Sequence, residues 1–287
     1  MSAIYFRELK SYFTGMIGPV VVAALMVFIG FHFWIYNLGS GYPYFARALT
    51  GVASYLIIIV PILTMKSMSE DKKAKTDQVL LTSAVNTTQI VLGKYFATLT
   101  VFAIPVLYSC IFPIILGFKT YHSYLIDYTT ILAFFFMGAA YIAIGLFISS
   151  LTESQIIAAI TCFLTIFLMM LIPMFSSYIS DSTLVNAVLF SILAFVLVLI
   201  INSTIRNAYA SMCIFMVSMI VIWGLYYIKG DVFAGAFSKM LNIVTFSNGI
   251  SYYAAGVFDL KGLVMFLSVS VLFVFLTVQS VQKRRWI

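Results

Sequence analysis

Long apolar runs broken by short polar connections dominate the pattern of this chain. A helix needs about 20 mostly apolar residues to cross roughly 30 Å of hydrocarbon. Read between charged residues, runs of that length lie at Met16–Asn37, Ala46–Met65, Lys94–Gly117, Tyr128–Leu151, Gln155–Tyr178, Leu184–Ser203, Ala208–Ile228 and Gly262–Val281. Within them no single face is favoured, as suits helices surrounded by lipid and by other helices. The alternating segments of an outer-membrane barrel are absent. The pattern therefore predicts an all-α polytopic bundle of about eight transmembrane helices. The pair between Leu184 and Ile228, joined by a short turn at Thr204–Asn207, is expected either as two full spans or as a hairpin that stops short, with Arg206 snorkelling.

Ahead of the first run the period changes. Tyr5, Phe6, Leu9, Tyr12 and Phe13 fall on one helical face, and Arg7, Glu8, Lys10 and Ser11 on the other. This predicts an interfacial amphipathic helix at the inner headgroups. The first run is longer than the 7–15 apolar residues of a secretory leader and no small-residue cleavage site follows it, so it is expected to remain as a span. One transmembrane domain is expected over 1–287, with an interfacial helix at 1–15, a cytoplasmic segment at 66–92 and an outer segment at 229–261. In the fourth run, Gly138, Ala139, Ala143, Gly145 and Ser149 are small enough to let a neighbouring helix approach closely.

Composition agrees with the pattern. Of 287 residues, 63% are hydrophobic and 9% charged, against about 25% charged in soluble domains, which excludes a water-soluble globular enzyme. The net charge of +7 is spread between apolar runs and forms no basic, aromatic-lined groove, so anionic lipid and not nucleic acid is the expected partner of the positive charge. With both termini inside, Arg7, Lys10, Lys66, Lys72, Lys73, Lys75, Lys94, Arg206, Lys283, Arg284 and Arg285 all face the cytoplasm. The positive-inside bias favours that arrangement, in the plasma membrane (the inner membrane of a bacterium).

Absent chemistry narrows the function. The central thirds of the runs carry no Asp, Glu, Lys or Arg, although proton-coupled carriers and voltage sensors generally keep such groups at mid-membrane. The phosphate-binding pattern GxxxxGK[ST] does not occur, and Gly93–Lys94 lacks the preceding glycine. No HExxH and no intramembrane pair of aspartates is present. Cys110, Cys162 and Cys213 have no CxxC partner, and His32 and His122 have no companions at ligand spacing. No catalytic residue, metal ligand or cofactor of its own is expected. Any directed work has to draw its energy from another polypeptide.

The largest inner connection is where such a polypeptide would attach. Ser67–Val91 is the most charged stretch, with Glu70, Asp71, Lys72, Lys73 and Lys75 leading it. Thr76 suits an N-cap with Asp77 in the first turn, predicting a short helix through Gln78, Val79, Leu80, Leu81 and Thr82. Leu80 and Leu81 on an exposed loop are costly unless lipid or a partner covers them. Asn86 with Gln89 resembles a capping box for the next helix.

These residues resemble a known family. Thr64–Val85, TMKSMSEDKKAKTDQVLLTSAV, followed by QIVLGKYFA, is similar to the segment after the second span of ABC type-2 permeases, especially the gliding-motility and NosY-like branch. Gly145–Ile160 is similar to that family's junction between fourth and fifth spans, and Gly256–Trp286 to its closing segment and basic tail. Where the family usually carries Gly-Thr this chain has Lys75–Thr76, and where it usually carries proline this chain has Ala84. The family's core has six spans, so the region near Ser180–Ile228 reads as an added pair.

The resemblance implies a permease subunit of an exporter, pairing with a second copy or a paralogue and with separate ABC ATPase subunits that bind ATP and magnesium. It implies that the helix around Thr76–Ser83 enters an ATPase cleft, Leu80 and Leu81 giving apolar contact and Lys73 and Asp77 orientation, with Thr82 in the same helix and Glu153 at a second contact. It also implies short outer helices within Asp231–Phe258. A non-transporting scaffold or sensor that recruits a cytoplasmic partner is the alternative from another class, and a sodium-coupled carrier using backbone carbonyls is a third.

Overall fold

The structure, a computed structural model, describes residues 1–75, 86–118, 123–179, 182–205, 208–228, 230–244 and 246–285. Among these residues every regular element is helical. Helix α1 (Ser2–Thr14) precedes α2 (Ile17–Phe33), which continues as a π-helical turn over Trp34–Gly39. Then come α3 (Ala46–Ala53), α4 (Leu56–Lys73), α5 (Thr87–Ser109), α6 (Ile111–Gly117), α7 (Tyr124–Leu151) and α8 (Gln155–Tyr178). After them follow α9 (Thr183–Ile205), α10 (Ala208–Ile228), a 3₁₀ turn at Gly230–Phe233, α11 (Ala236–Val244), α12 (Phe246–Ala254) and α13 (Leu260–Arg285).

Five stretches among the described residues are long and apolar enough to cross a membrane: Ile17–Gly39, Thr87–Gly117, Tyr124–Leu151, Gln155–Ser176 and Leu260–Lys283. Helices α3 and α4, bent by 56° at their junction, make a sixth if they count as one span. The expected run Ala46–Met65 is thus a broken element, and its apolar helix extends through the charged residues to Lys73. The pair between Leu184 and Ile228 is helical as expected, but its described apolar parts, Thr183–Val196 and Met212–Ile228, fall short of span length. The protein is a multi-pass all-α membrane bundle.

Two compact units divide the chain. The first comprises Met1–Leu168 with Phe246–Ile287, and α7 is its centre, most of its apolar length being buried inside the chain. Helices α4 and α13 make the most extensive packing against α7. Small residues make this closeness feasible: a side chain on Gly145 would strike Thr64 of α4, and one on Gly138 would strike the ring of Phe102 on α5. Ala139, Ala143 and Ser149 are buried in the same seams.

At one end of this unit lies a buried carboxylate. Asp127, in the first turn of α7, accepts hydrogen bonds from the backbone N–H groups of Phe45 at 3.1 Å and Ala46 at 2.9 Å. It thereby satisfies donors that the start of α3 cannot pair internally. Asn37 donates to the carbonyls of Tyr42 and Tyr44 and pins the preceding connection. Phe246 of α12 packs against Tyr141 and Phe266, with ring centroids 5.1 and 5.4 Å apart.

The second unit, Met169–Thr245, is built on the antiparallel pair α9 and α10. Phe190 stacks edge-on to Phe233 and Phe237, and the Asn186 side chain accepts the backbone N–H of Phe237 at 3.1 Å. The short helices expected within Asp231–Phe258 are present as α11 and α12.

Candidate functional site

The charged connection is rooted in two helices, and its roots are tied together. Helix α4 runs past Pro61 through the polar sequence Lys66–Lys73 and closes with Ala74 N–H on the Glu70 carbonyl at 2.9 Å and Lys75 N–H on the Lys72 carbonyl at 3.1 Å. Lys75 then takes φ +55°, the left-handed conformation that ends many helices and that glycine adopts most cheaply. This is the position at which the resembling family usually carries glycine. On the far side α5 starts at Thr87, with Asn86 in extended conformation as its N-cap. The start falls where the Asn86–Gln89 pattern put it, but no side-chain capping hydrogen bond forms there.

Lys94 lies two turns inside α5, and only 2% of its side chain is exposed. Its Nζ sits 2.6 Å from Asp71 Oδ2 on α4 and 3.2 Å from Glu8 Oε1 on α1, and it donates to the Ser67 carbonyl at 2.5 Å. Arg7 completes the group, 2.8 Å from Glu8 and 3.9 Å from Asp71. Two cations thus face two carboxylates. An ammonium buried without such partners would be several kcal/mol less favourable. Lys66 and Glu70, one turn apart on α4, pair at 3.3 Å beside a cavity of about 300 Å³ that Arg7, Asp71 and Lys94 also line.

Tyr12 locks α1 onto the same roots. Its hydroxyl donates to the Leu63 carbonyl on α4 at 3.0 Å and lies 3.2 Å from Thr98 Oγ1 on α5. Burial pushes the Tyr12 phenol up to about 12, against a smaller lowering by the Thr98 hydrogen bond. The face of α1 turned onto the protein is the row Ile4, Glu8, Tyr12, at i, i+4 spacing, with Ile4 closing on Gly93. Phe6 and Phe13, expected on the face of Tyr12, are exposed, and Glu8, expected on the opposite face, turns inward. The helix itself forms as the periodicity predicts; its orientation follows the buried cation on α5.

A further seam connects α4 to the end of α7. Ser149 Oγ accepts the backbone N–H groups of Met68 and Ser69, each at 3.1 Å, and donates to the Met65 carbonyl at 3.2 Å. Lys72 Nζ donates to the Ser150 carbonyl. Just beyond, the Thr152–Ser154 turn holds itself through Ser154 N–H on Thr152 Oγ1 at 3.1 Å, and Ser154 Oγ accepts Ile157 N–H at the start of α8. The last turns of α4 therefore hold α1, α5 and the end of α7 at once.

Of the residues singled out in the sequence, Lys73 lies exposed on the last turn of α4, and Glu153 lies exposed in the turn just after α7. Thr76, Asp77, Leu80, Leu81 and Thr82 lie outside the described residues. Sequence reasoning placed Lys94 at the mouth of a span as one more positive-inside residue and assigned no partner to Asp71 or Glu8. Its one signal is a lone lysine with apolar neighbours on both sides, VLGKYF.

Among the described residues no cluster of His, Cys, Asp or Glu has the makings of a metal site. No curated protein and no solved structure matches the chain. The model of the family described as "ABC-2 family transporter protein" matches residues 32–228, a region that includes α4, α5, α7 and the turn bearing Glu153, and the match is to the family without distinguishing a branch. The chain belongs to the ABC-2 family of transporter proteins, as a membrane component and not a catalytic enzyme.

Proposed function

We propose that this protein is the membrane-spanning subunit of an ATP-driven exporter, moved by separate ABC ATPase subunits that hold ATP and magnesium. The segment from Lys73 to Ser83 is the handle, with Leu80 and Leu81 as its apolar contact and Lys73, Thr76, Asp77 and Thr82 setting its approach. Glu153 forms a second contact. A second copy or a paralogue completes the permease, and the charged end faces the cytoplasm with both termini.

The observation that supports this reading is the Asp71–Lys94–Glu8 group. It joins the helix entering the handle, the helix leaving it and the N-terminal helix, so a push on the handle moves all of them together. A loop that served only to recruit a partner would need no such anchoring of both roots.

Affinity purification of the full chain from its native membranes tests the reading. An ABC ATPase is expected to co-purify with the wild type and to be lost from Leu80→Asp, while the variant inserts normally. Burying two leucines is worth about 1.5–3 kcal/mol each, so loss of one with introduction of a charge lowers recovery of the ATPase at least tenfold. Equal recovery from both proteins would defeat the docking assignment. A thiol placed at Lys73 is expected to react with a membrane-impermeant label only after the cells are opened.

A further inference from the structure

An apolar groove of about 570 Å³ runs between α5, α7 and α13, within the size range of small-molecule sites. Tyr95, Phe96, Phe135, Phe136 and Phe275 supply its aromatic walls. The polar atoms along its middle are already engaged: Tyr95 donates to the Ala139 carbonyl at 3.3 Å and Ser270 to the Phe266 carbonyl at 2.8 Å. Its polarity is concentrated at one end, where Thr88, Gln279 and Gln282 line it. Lys283 follows, exposed, and with Gln279 and Ser280 lines an adjoining hollow of about 450 Å³. Neither hollow is lined by an acidic side chain.

From Leu267 to Gln282 the groove follows α13 for about 22 Å, roughly half as much again as the ~15 Å of hydrocarbon in one leaflet, so it has room for an acyl chain and part of a headgroup. All three helices contribute stretches long and apolar enough to cross a membrane; the lining residues Phe96, Leu267, Val271 and Phe275 are exposed, and Gln279 and Gln282 stand at the end of the α13 stretch. The two amides there carry no hydrogen bond to the described residues, and Gln279 borders both hollows, so the Lys283 ammonium adds positive charge beside the groove's polar end.

We infer that this groove is a specific site for one anionic membrane phospholipid, with an acyl chain along the aromatic walls and the phosphate at Gln279, Gln282 and Lys283. A lipid seated there fills the wedge between α5 and α13 over the small Ala139 of α7, and so braces the helix that carries the seam to α4. This assignment is independent of ATPase docking.

Native mass spectrometry of the full chain, incubated with phosphatidylglycerol and phosphatidylcholine of identical acyl chains, tests it. The wild type is expected to retain one phospholipid and to prefer phosphatidylglycerol about fivefold. Val271→Trp, which fills the groove from an exposed position on α13, is expected to lower occupancy at least fivefold. Val264→Trp, exposed on the same helix outside the groove, is expected to leave occupancy unchanged. Lys283→Glu is expected to keep a bound lipid but abolish the headgroup preference, and it reads out even if Val271→Trp is poorly folded. Retention of no lipid by the wild type, equal retention of both lipids by it, or equal loss from Val264→Trp and Val271→Trp would overturn the site and leave only annular lipid.

Discussion

Asp71 and Lys94 meet at 2.6 Å across the two roots of the connection between α4 and α5. The pair is as much a closure of that loop as an ion pair, since it fixes where the chain leaves α4 and where it re-enters α5. Glu8 brings α1 into the closure, and the Ser67 carbonyl takes a further ammonium proton.

Removing the cation tests the strength of the closure. Lys94→Met leaves Asp71 and Glu8 facing one another with only the half-exposed Arg7 as counter-charge. Breaking a buried pair on one side costs about 3–5 kcal/mol, reduced here because Asp71 keeps 24% of its side chain exposed, so a loss of roughly 2–4 kcal/mol is expected. Thermal unfolding in detergent should register it. The double variant Asp71→Asn with Lys94→Met is expected to lose less than the sum of the two single changes, with a coupling of about 1–3 kcal/mol. Strict additivity would show that the two side chains do not act together.

At the end of α4, Lys75→Gly relieves a left-handed backbone that costs an ordinary residue about 1–2 kcal/mol. Part of the relief is offset by glycine's greater freedom in the unfolded chain, so a net gain of about 0.5–1 kcal/mol is expected. Lys75→Val should move stability the other way. Melting temperatures of the three proteins give the order directly.

The α4–α7 seam has no room for a side chain at position 145. Gly145→Val is expected to destabilise by about 1–3 kcal/mol through overpacking against Thr64, and adding Thr64→Ala should recover part of that loss. Ser149→Ala strips the hydroxyl shared by Met68, Ser69 and Met65 and should cost about 1–3 kcal/mol. The yield of monodisperse protein and its melting temperature would show both effects.

Tyr12 predicts a pH dependence with a definite sign. Its phenol is neutral when protonated, and burial raises it from 10.0 to about 12. The folded state therefore holds this proton more tightly than the unfolded one, so its contribution is complete below pH 10 and declines as pH rises from 10 towards 12. Tyr12→Phe should flatten that alkaline decline while losing about 1 kcal/mol at neutral pH for the bonds to Leu63 and Thr98. A difference titration of wild type against the variant should show one late-titrating phenol.

The membrane character and the helical class were legible because hydrocarbon thickness and backbone hydrogen bonding act on each segment separately, while the bend between α3 and α4 and the extension of α4 to Lys73 were not. An apolar run either reaches across or does not, and Asn86 marks the start of α5 locally, whereas α4 continues through Pro61 and the charges as far as Lys73. The small residues of the Gly138–Ser149 stretch likewise announced a close approach without naming its partner. What the tertiary structure alone decided is pairing. Lys94, Asp71 and Glu8 lie on separate helices far apart along the chain, and each looks like an ordinary charge near a membrane edge. Only when α1, α4 and α5 pack does the cost of burying an ammonium bring the carboxylates to it. Glu8 falls on the row of Ile4 and Tyr12 at i, i+4 spacing, so the same packing that buries those two brings its carboxylate to Lys94.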